Sequence, residues 1–445
     1  MLFYIKDLEY RSLKSSVMSE EKKHLVIIGG GFAGLNLLRK IDKSKYRVTV
    51  IDRNNYHSFP PLFYQVASSG IDPAGICYPL RREVHHYKNK GVRFNLGTVR
   101  TIDTNKHIIT TDREVIEYDL AVIAAGTTNN FFGIENLEHL VYTLKSTGEA
   151  MTLRNEVLKR LELASIEPDE TKRRDMLRFV VVGGGPTGVE IAGALGEMKR
   201  YIIDREYPRI NKNEISITLI EGSDRLLGTM SGKSSELAHK YLENLMVDVN
   251  FGKIMKTYDG KTITCGDGTT YESSLVVWTA GVTTVNIDFT GRQPEYGRGH
   301  RIVVDAYNRV NGIDDLYALG DISIMTTDSR FEAGHPQLAQ VAIQQARNLA
   351  SNLNKGTFKK TFRYNDMGTM ATVGRNRAVV NLKHLCFGGF TAWATWMFIH
   401  LISILGARNR LTVLINWIWS YFTYGSSLRM LFEASPLPDK HTIDE

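Results

Sequence analysis

Two distant segments of this 445-residue chain share one pattern, and the repetition limits the folds open to it. The segments HLVIIGGGFAGLNLL (24–38) and RFVVVGGGPTGVEIAGAL (178–195) each place a short apolar run before a glycine cluster and a helical pattern. This order is the strand, turn and helix that open a βαβ unit. Its occurrence twice predicts an α/β fold with two Rossmann-like dinucleotide-binding domains.

Five further short apolar runs are predicted as strands. Most of them end in glycine or an acidic residue, as parallel strands do when their carboxyl ends face a ligand. These runs are 46–52, 118–126, 215–222, 274–281 and 315–321. Their order indicates that the second unit is inserted within the first. The predicted division is a polar tail over 1–23, a first domain from 24–145 and 293–365, a second domain over 146–292 and a C-terminal region over 366–445.

The first glycine cluster matches GxGxxG at Gly29, Gly31 and Gly34. The first glycine allows a tight turn, the second lets the backbone approach a pyrophosphate, and the third lets the helix pack closely on the strand. The start of that helix adds partial positive charge for the phosphates. Asp52 ends the next strand, 23 residues after Gly29, where it can accept hydrogen bonds from a ribose.

The second glycine cluster repeats the motif at Gly183, Gly185 and Gly188. Glu221 ends the next strand 38 residues after Gly183, later than the usual interval of about 20 residues. We attribute the extra length to a helical extension and loop over 196–213. A carboxylate at this position favours NADH, because it repels the 2′-phosphate of NADPH. The alternative is a solvated glutamate at a strand end.

Glu190 follows the last glycine of the second motif by two residues and is predicted in the first turn of the helix. There a carboxylate can interact favourably with the helix dipole. It can equally lie beside a nicotinamide, where it would orient the carboxamide or relay a proton. The sequence leaves both interpretations open.

Polar residues near the end of the α/β region complete the predicted site. Gly320 and Asp321 follow a strand, as in flavoproteins with two dinucleotides, where the aspartate bonds the ribitol; a simple turn is the alternative. The segment 335–350 is predicted as a helix that places Gln340 and Gln344 on one face. Their amides can bond a flavin edge or a quinone carbonyl, although solvated surface is as good an interpretation.

The composition changes after residue 384. The segment 386–407 contains no acidic or basic residue other than His400, and 411–424 is apolar again after a short basic stretch. In the segment 411–424, one helical face is shared by Leu411, Leu414, Ile415, Ile418 and Phe422. Four of the five tryptophans fall in these segments, as in proteins of a membrane interface. We expect a helix lying on the membrane, with Arg408, Arg410 and Arg429 facing anionic headgroups. A bilayer span and a dimer interface are the alternatives.

The overall composition excludes several other classes of protein. A net charge of +7 on 445 residues is a mild excess that is compatible with an anionic surface or ligand without requiring one, and no nucleic acid is expected as a partner. The three cysteines, Cys77, Cys265 and Cys386, form no CxxC pair, which argues against a disulfide scaffold, a metal site and a dithiol redox centre. Electrons are therefore expected to pass directly between bound cofactors.

With these motifs, the chain resembles the type II NADH:quinone oxidoreductases, non-proton-pumping flavoproteins of respiratory membranes. The resemblance covers residue 24 to about residue 432, and the segments PPLFYQVA, AQVAIQQ and the tryptophan-rich end carry its more specific part. It implies FAD held non-covalently, NADH as substrate and a membrane quinone as acceptor. It also implies that Glu190 lies near the nicotinamide and that Gln340 and Gln344 line the quinone pocket.

The resemblance implies a set of nucleotide contacts around the motifs. In the first domain these are Gly29, Gly31, Phe32, Ala33, Gly34, Asp52, Gln65, Val99, Ala125, Gly126, Gly320, Asp321 and Gln340. In the second domain they are Gly183, Gly185, Pro186, Thr187, Gly188, Glu190, Glu221, Ala280 and Gly281.

The resemblance further implies peripheral attachment to the inner face of a bacterial cytoplasmic membrane, with the catalytic domains in the cytoplasm and a homodimer possible through the C-terminal region. Three alternatives stay open. A sulfide:quinone oxidoreductase needs redox cysteines near the flavin, which Cys77, Cys265 and Cys386 do not supply. A soluble or membrane-bound reductase of another acceptor would explain both glycine motifs but not the apolar end. A non-catalytic flavoprotein scaffold would not need both motifs intact.

Overall fold

The structure, a computed structural model, describes residues 22–383, 385–423 and 428–431. Residues 1–21 of the predicted tail lie outside this range. The chain divides into two units, and each unit is assembled from three separated segments. The first unit takes Met1–His57, Pro79–Thr128 and Thr283–Asn365. The second takes Ser58–Tyr78, Asn129–Val282 and Asp366–Glu445.

A parallel five-stranded sheet forms the centre of the first unit. In spatial order its strands are Leu316–Ala318, Leu120–Ile123, Lys23–Ile28, Tyr46–Asp52 and Val92–Leu96. The central strand is buried on both faces, which explains its unbroken run of apolar residues. Ile28 pairs with Ile51 on one side and Ile123 on the other, so the carboxyl ends of three strands meet at one edge.

Two small sheets and three helices surround that sheet within the first unit. The helix Phe32–Lys40 packs against Ala339–Lys355, and the third helix is Leu80–His85. The small sheets contain the strands Asp288–Thr290, Val99–Asp103, Ile108–Thr111 and Val115–Glu117, and the strands Tyr296–Gly297, Arg301–Val303 and Ser323–Ile324. Their apolar faces share one core with the large sheet, which includes Ile102, Ile109 and Val310.

A four-stranded parallel sheet is the centre of the second unit. Its spatial order is Asp248–Asn250, Ser216–Ile220, Arg178–Val182 and Leu275–Trp278. The strand Arg178–Val182 leads into the second glycine motif and the helix Pro186–Tyr201, which continues into the short helix Ile203–Glu206. The predicted helical extension between Gly188 and Glu221 is therefore confirmed.

The other elements of the second unit fall into two small sheets and a set of helices. The sheets contain Met255–Tyr258, Thr262–Cys265 and Thr270–Glu272, and Thr369–Thr372, Ala378–Asn381 and Cys386–Gly389. The helices are Phe63–Ala67, Leu137–Leu140, Thr147–Ile166, Glu170–Met176, Gly232–Asn244, Phe390–Ser403 and Ala407–Thr423. Four short strands occur where the chain passes from one unit to the other: Tyr56–Ser58, Cys77–Pro79, Thr127–Asn129 and Val282–Thr284.

The C-terminal helices carry both a buried and an exposed face. Trp396 and Trp417 are buried, whereas Ile415, Ile418 and Phe422 are between 51% and 78% exposed. Within the described residues, no helix combines the length and the apolar character that crossing a bilayer requires. Arg429 does not face outward as predicted, because it pairs with Glu206 and only 6% of its side chain is exposed.

Two sequence predictions differ from the observed elements. The helix predicted over 335–350 begins at Ala339 and ends at Lys355, where Gly356 adopts a left-handed conformation that closes it. The second unit includes 58–78 and 129–145, which were predicted in the first domain, and 366–445, which was predicted as a separate region. The first unit includes 283–292, which was predicted in the second domain.

Candidate active site

The first glycine turn has the geometry that each of its glycines is expected to supply. Gly29 adopts φ +107°, which L side chains rarely tolerate, and a Cβ there would lie 2.4 Å from the carbonyl oxygen of Ala124. A Cβ on Gly34 would lie 1.8 Å from the carbonyl oxygen of Gly29, so helix and strand pack without space for a side chain. At Gly31 a Cβ would meet nothing within 4 Å, which leaves the backbone open to a ligand.

Two side chains hold this turn from outside the motif. The Asp52 carboxylate accepts hydrogen bonds from the backbone N–H of Gly30 at 2.6 Å and of Asn54 at 2.7 Å. Burial raises the pKa of Asp52, and the two N–H donors oppose that rise. On the other side of the turn, His57 Nδ1 donates to the carbonyl oxygen of Gly30 at 2.9 Å. Burial lowers the pKa of His57 to about 4, so its imidazole is neutral at physiological pH.

The second glycine turn repeats this geometry in the second unit. Gly183 adopts φ +106°, and a Cβ there would lie 2.8 Å from the Cα of Ala280. A Cβ on Gly188 would lie 1.8 Å from the carbonyl oxygen of Gly183, whereas one on Gly185 would meet nothing within 4 Å. Thr279 adds a contact that the sequence reasoning missed, because its hydroxyl donates to the carbonyl oxygen of Gly183 at 3.0 Å.

Glu221 ties the end of its strand to the second turn. One carboxylate oxygen accepts the backbone N–H of Gly184 at 2.5 Å, and the other accepts that of Ser223 at 2.7 Å. The same carboxylate lines a cavity of about 260 Å³ together with Gly183 and Ala280. Glu221 therefore lies between the second glycine turn and this cavity, and its contact with a nucleotide ribose stays a prediction.

Glu190 lies inside the second unit and not at a helix end. The prediction that it occupies the first helical turn is wrong, because the helix begins at Pro186 and contains no acidic residue in its first turn. Burial raises the pKa of the Glu190 carboxyl to about 8, and the backbone N–H of Thr372 lies 3.5 Å from it. At neutral pH the group is mostly uncharged, which removes the interaction with the helix dipole.

The Gly-Asp turn of the first unit is fixed by a residue that the sequence reasoning did not identify. Gly320 adopts φ +74°, and its backbone N–H donates to Oε1 of Gln345 at 2.7 Å. Gln345 is 2% exposed and lies on the same helix as Gln340 and Gln344, which were the two glutamines predicted to be functional. The Gln337 side chain also donates to the carbonyl oxygen of Asp321 at 3.1 Å.

The two glutamines expected to share a face lie one turn apart on the helix Ala339–Lys355. Both polar atoms of the Gln344 amide are used within the first unit. Its Nε2 donates to the carbonyl oxygen of Asn365 at 2.9 Å, and its Oε1 accepts the backbone N–H of the same residue at 3.0 Å. Gln344 therefore anchors the chain at Asn365 in this structure, and Gln340 lies one turn closer to the start of the helix.

Gln65 lies in the second unit, although it was predicted among the nucleotide contacts of the first domain. Its Nε2 donates to the Tyr64 hydroxyl at 2.8 Å, and its Oε1 accepts from the Trp417 indole at 2.7 Å. These residues line a cavity of about 140 Å³ that also contains Glu197 and Arg375. Gln65 thus connects the segment 58–78 to the C-terminal helices.

The remaining predicted residues lie next to the two turns or at the ends of strands. Phe32 and Ala33 open the first helix, and Pro186 and Thr187 open the second. Ala125, Gly126 and Gly281 follow strands, and Val99 begins a strand with 8% exposure. Cys77, Cys265 and Cys386 are free, and among the described residues no three His, Cys, Asp or Glu side chains are placed to hold a metal ion.

Two such glycine turns, each at the carboxyl end of an interior strand of a parallel sheet, are typical of proteins that bind two dinucleotides. Residues 23–346 match the model of the pyridine nucleotide-disulphide oxidoreductase family. Residues 367–424 match the NDH2 C-terminal domain.

The chain is also similar to individual proteins. The type II NADH:quinone oxidoreductase Ndh of Mycobacterium tuberculosis is 31% identical over 417 residues, which cover 90% of this chain and 89% of that protein. The mitochondrial internal alternative NAD(P)H-ubiquinone oxidoreductase A1 of Solanum tuberosum is 30% identical, over 90% of this chain and 86% of that protein. NDH2 from Plasmodium falciparum, solved with NADH, has a TM-score of 0.85 at 21% identity, over 92% of this chain and 100% of that one.

The chain belongs to the type II NADH:quinone oxidoreductase family. It is an FAD-dependent enzyme that oxidises NADH and reduces a quinone. The sulfide:quinone oxidoreductase of Aquifex aeolicus has a TM-score of 0.68 at 16% identity, over 90% of this chain and 95% of that one, a likeness of fold alone. The family match therefore favours NADH oxidation over the sulfide alternative.

Proposed function

We propose that the first unit binds FAD and the second binds NADH. The observation that carries this assignment is the repeated turn. In each unit, the turn contains one glycine with space beside it and is held by one acid that accepts a backbone N–H of the turn. The predicted domains 24–145 with 293–365 and 146–292 follow this division in outline, with 58–78 and 129–145 reassigned to the NADH-binding unit and 283–292 to the FAD-binding unit. The C-terminal segment from residue 366 completes the NADH-binding unit.

The first turn fits an FAD pyrophosphate. Gly31 presents open backbone at the start of the helix Phe32–Lys40, where N–H groups and the helix dipole favour phosphate oxygens. Asp52 would bond the ribose and Asp321 the ribitol. When bound, FAD supplies the acceptance of hydride and the transfer of two electrons, which the side chains of this chain cannot perform.

The second turn fits NADH in the same way, with Gly185 facing the pyrophosphate and Glu221 facing the adenosine ribose. Glu190 is proposed to act near the nicotinamide. Since its pKa is about 8, the carboxyl carries a proton at neutral pH and can donate a hydrogen bond to a carboxamide oxygen. An ionised glutamate could only accept one.

On the acceptor side we assign Gln340 and Gln344 to the quinone, with different roles. Gln344 uses its amide to bond the backbone of Asn365, so it fixes the position of Asn365 against the first half of the helix. Gln340, one turn earlier, would donate to a quinone carbonyl. An amide suits this task because it bonds the carbonyl without adding charge.

The assignment is tested by separating the two half-reactions on FAD-replete protein. Bleaching of the flavin by one equivalent of NADH reports the nucleotide side, and reoxidation by a short-chain quinone reports the acceptor side. We expect Gly185→Val to slow bleaching and leave reoxidation of chemically reduced protein intact, and Gln340→Ala to do the reverse. Both variants affecting both steps equally would overturn the division of roles.

We propose in addition that the helices Phe390–Ser403 and Ala407–Thr423 attach the enzyme peripherally to the cytoplasmic face of a bacterial inner membrane. The supporting observation is a continuous exposed apolar stripe on the second helix. Its members, each more than half exposed, are Leu411, Ile415, Ile418, Trp419 and Phe422. Arg408 and Arg410 begin the same helix and suit anionic headgroups. A quinone could then reach the enzyme from the lipid.

Substitution is a cleaner test of attachment than truncation, because the strand Cys386–Gly389 pairs with Ala378–Asn381. We expect the triple variant Ile415→Ser, Ile418→Ser and Phe422→Ser to bind anionic vesicles with a partition coefficient roughly tenfold or more below that of the parent, measured by flotation. The reason is that full burial of each apolar side chain contributes roughly 1.5–3 kcal/mol to the binding free energy. Ile166→Ser is the control, because Ile166 is 70% exposed in the same unit.

The same variants distinguish lipid from a second copy of the chain. If the triple variant floated like the parent but lost self-association in sedimentation velocity, the stripe would be a dimer interface and not a membrane surface. Unchanged behaviour in both measurements would remove the stripe from either role.

A further inference from the structure

The cavity of about 260 Å³ in the second unit contains charges of both signs. Glu221 lines it, and so do two lysines, Lys253 and Lys256. A lysine ammonium is a common partner for a phosphate group. A cavity with two lysines would therefore be expected to accept the 2′-phosphate of NADPH, unless the cations are engaged elsewhere.

Lys253 is engaged by an acid from a neighbouring hairpin. Its Nζ lies 2.5 Å from Oδ2 of Asp267 and donates to the Thr269 hydroxyl at 2.8 Å. This hydrogen-bonded ion pair lowers the pKa of Asp267 to about 2 and raises that of Lys253, so both groups stay charged. The backbone N–H of Lys253 donates to the Glu221 carbonyl oxygen at 2.9 Å, so Lys253 is held next to Glu221. The ion pair with Asp267 therefore neutralises a lysine that lies beside Glu221.

Glu221 does not depend on Lys253 for its position. Its two carboxylate oxygens are held by the backbone of Gly184 and Ser223, as described above. Glu221 therefore keeps its place in the lining of the cavity whether or not Lys253 is free. Since the backbones of Lys253 and Glu221 are hydrogen-bonded to each other, we expect a Lys253 ammonium released from Asp267 to pair with the Glu221 carboxylate.

We infer that Asp267 is a second specificity determinant, which prevents Lys253 from binding the 2′-phosphate of NADPH. This inference rests on the proposed function, in which the cavity takes the adenosine end of the nucleotide. Rejection of NADPH then has two parts: Glu221 repels the phosphate, and Asp267 withholds the cation that would attract it. The two parts are coupled, because either acid alone can neutralise Lys253.

The coupling predicts a non-additive double-mutant cycle. Glu221→Gln alone should raise the ratio of kcat/KM for NADPH to kcat/KM for NADH about tenfold, because it removes like-charge repulsion, while any loss of support for the turn affects both nucleotides. Asp267→Asn alone should change it by less than about twofold, because the released Lys253 pairs with Glu221. The double variant should gain roughly a further tenfold to hundredfold, the range of a hydrogen bond to a charged group.

A third substitution identifies the cation. Adding Lys253→Met to the double variant should return NADPH use to the level of Glu221→Gln alone, whereas adding Lys256→Met should not. Equilibrium binding of 2′,5′-ADP, with 5′-AMP as the reference, should follow the same order without any turnover. Asp267→Asn keeps a side-chain oxygen for the Thr269 N–H at 3.0 Å but loses the oxygen that accepts the Thr269 hydroxyl at 3.0 Å. The melting temperature of each variant is therefore measured to check that the hairpin is intact.

Additive effects of the two substitutions, or a gain that survives Lys253→Met, would overturn the role of Asp267 while leaving the nucleotide site in place. A different result would point to the proposed function itself. If neither 5′-AMP binding nor kcat/KM for NADH or NADPH responded to Glu221→Gln, the cavity would not be the nucleotide site, and the inference about Asp267 would fall with it.

Discussion

The buried carboxyl of Glu190 makes folding stability depend on pH in a defined window. The group has a pKa of about 8 in the folded protein against 4.5 for a free glutamate. The folded state therefore holds a proton that the unfolded chain releases, so stability from this group is fully present below pH 4.5 and is lost as pH rises towards 8. Between pH 5 and pH 8 the loss is on the order of 3–4 kcal/mol.

Glu190→Gln replaces the titrating group with an amide of similar shape that cannot ionise. We expect the free energy of unfolding of the variant, relative to the parent, to rise by on the order of 3–4 kcal/mol between pH 5 and pH 8. Urea titrations of the FAD-replete protein at several pH values measure this difference. Asp52 and Glu197 also have raised pKa values, but their contributions cancel because both proteins retain them.

Glu236→Gln is the matched control, because Glu236 is an exposed glutamate on the helix Gly232–Asn244 of the same unit. Because Glu236→Gln keeps the Glu190 carboxyl, its free energy of unfolding should fall between pH 5 and pH 8 as that of the parent does. Parallel pH profiles for the parent and Glu190→Gln would refute the reasoning, since they would mean that the Glu190 carboxyl titrates alike in both states. Glu190 could then not be assigned as a hydrogen-bond donor to the nicotinamide carboxamide at neutral pH.

Two further substitutions test residues that hold backbone in the first unit. His57→Ala should lower the free energy of unfolding by about 2–4 kcal/mol, because it opens a buried space and leaves the Gly30 carbonyl without its donor. Thermal unfolding and the FAD content after gel filtration measure this loss. Unchanged values would show that His57 does not hold the turn. Gln344→Ala should slow reoxidation by quinone and leave bleaching by NADH nearly intact, with a small loss of thermal stability from the freed Asn365 backbone. Equal losses in both half-reactions would remove Gln344 from the acceptor side.

The strands and glycine turns could be predicted from the sequence because their causes are local. The run Tyr46–Asp52 forms the predicted strand without a change of boundary, and the glycines at 29 and 183 adopt the left-handed backbone that their motif requires. A fully buried parallel strand needs only apolar residues, and a tight turn needs only glycine. Both conditions are visible in a short window of sequence.

The membership of segments in units could not be predicted, because it depends on contacts between residues far apart in the chain. The Trp417 indole bonds Gln65 across 352 residues, and Asn409 bonds the carbonyl oxygen of Cys77 across 332. These bonds join the segment 58–78 to the C-terminal helices. Gln345 was missed for a related reason: its partner, Gly320, lies 25 residues away, and a buried glutamine has the same sequence signature as a solvated one.

The acids at the two strand ends show why one motif can serve both folding and binding. Each carboxylate oxygen has two lone pairs, and each oxygen of Asp52 and Glu221 accepts one backbone N–H. One lone pair on each oxygen remains for a ribose hydroxyl. The bonds to Gly30 and Gly184 set the orientation of the carboxylates before a nucleotide binds, so less conformational entropy is lost on binding. The requirement for an acid therefore comes from the turn as well as from the ligand, since an amide presents only one oxygen and could not accept both backbone N–H groups through separate oxygens.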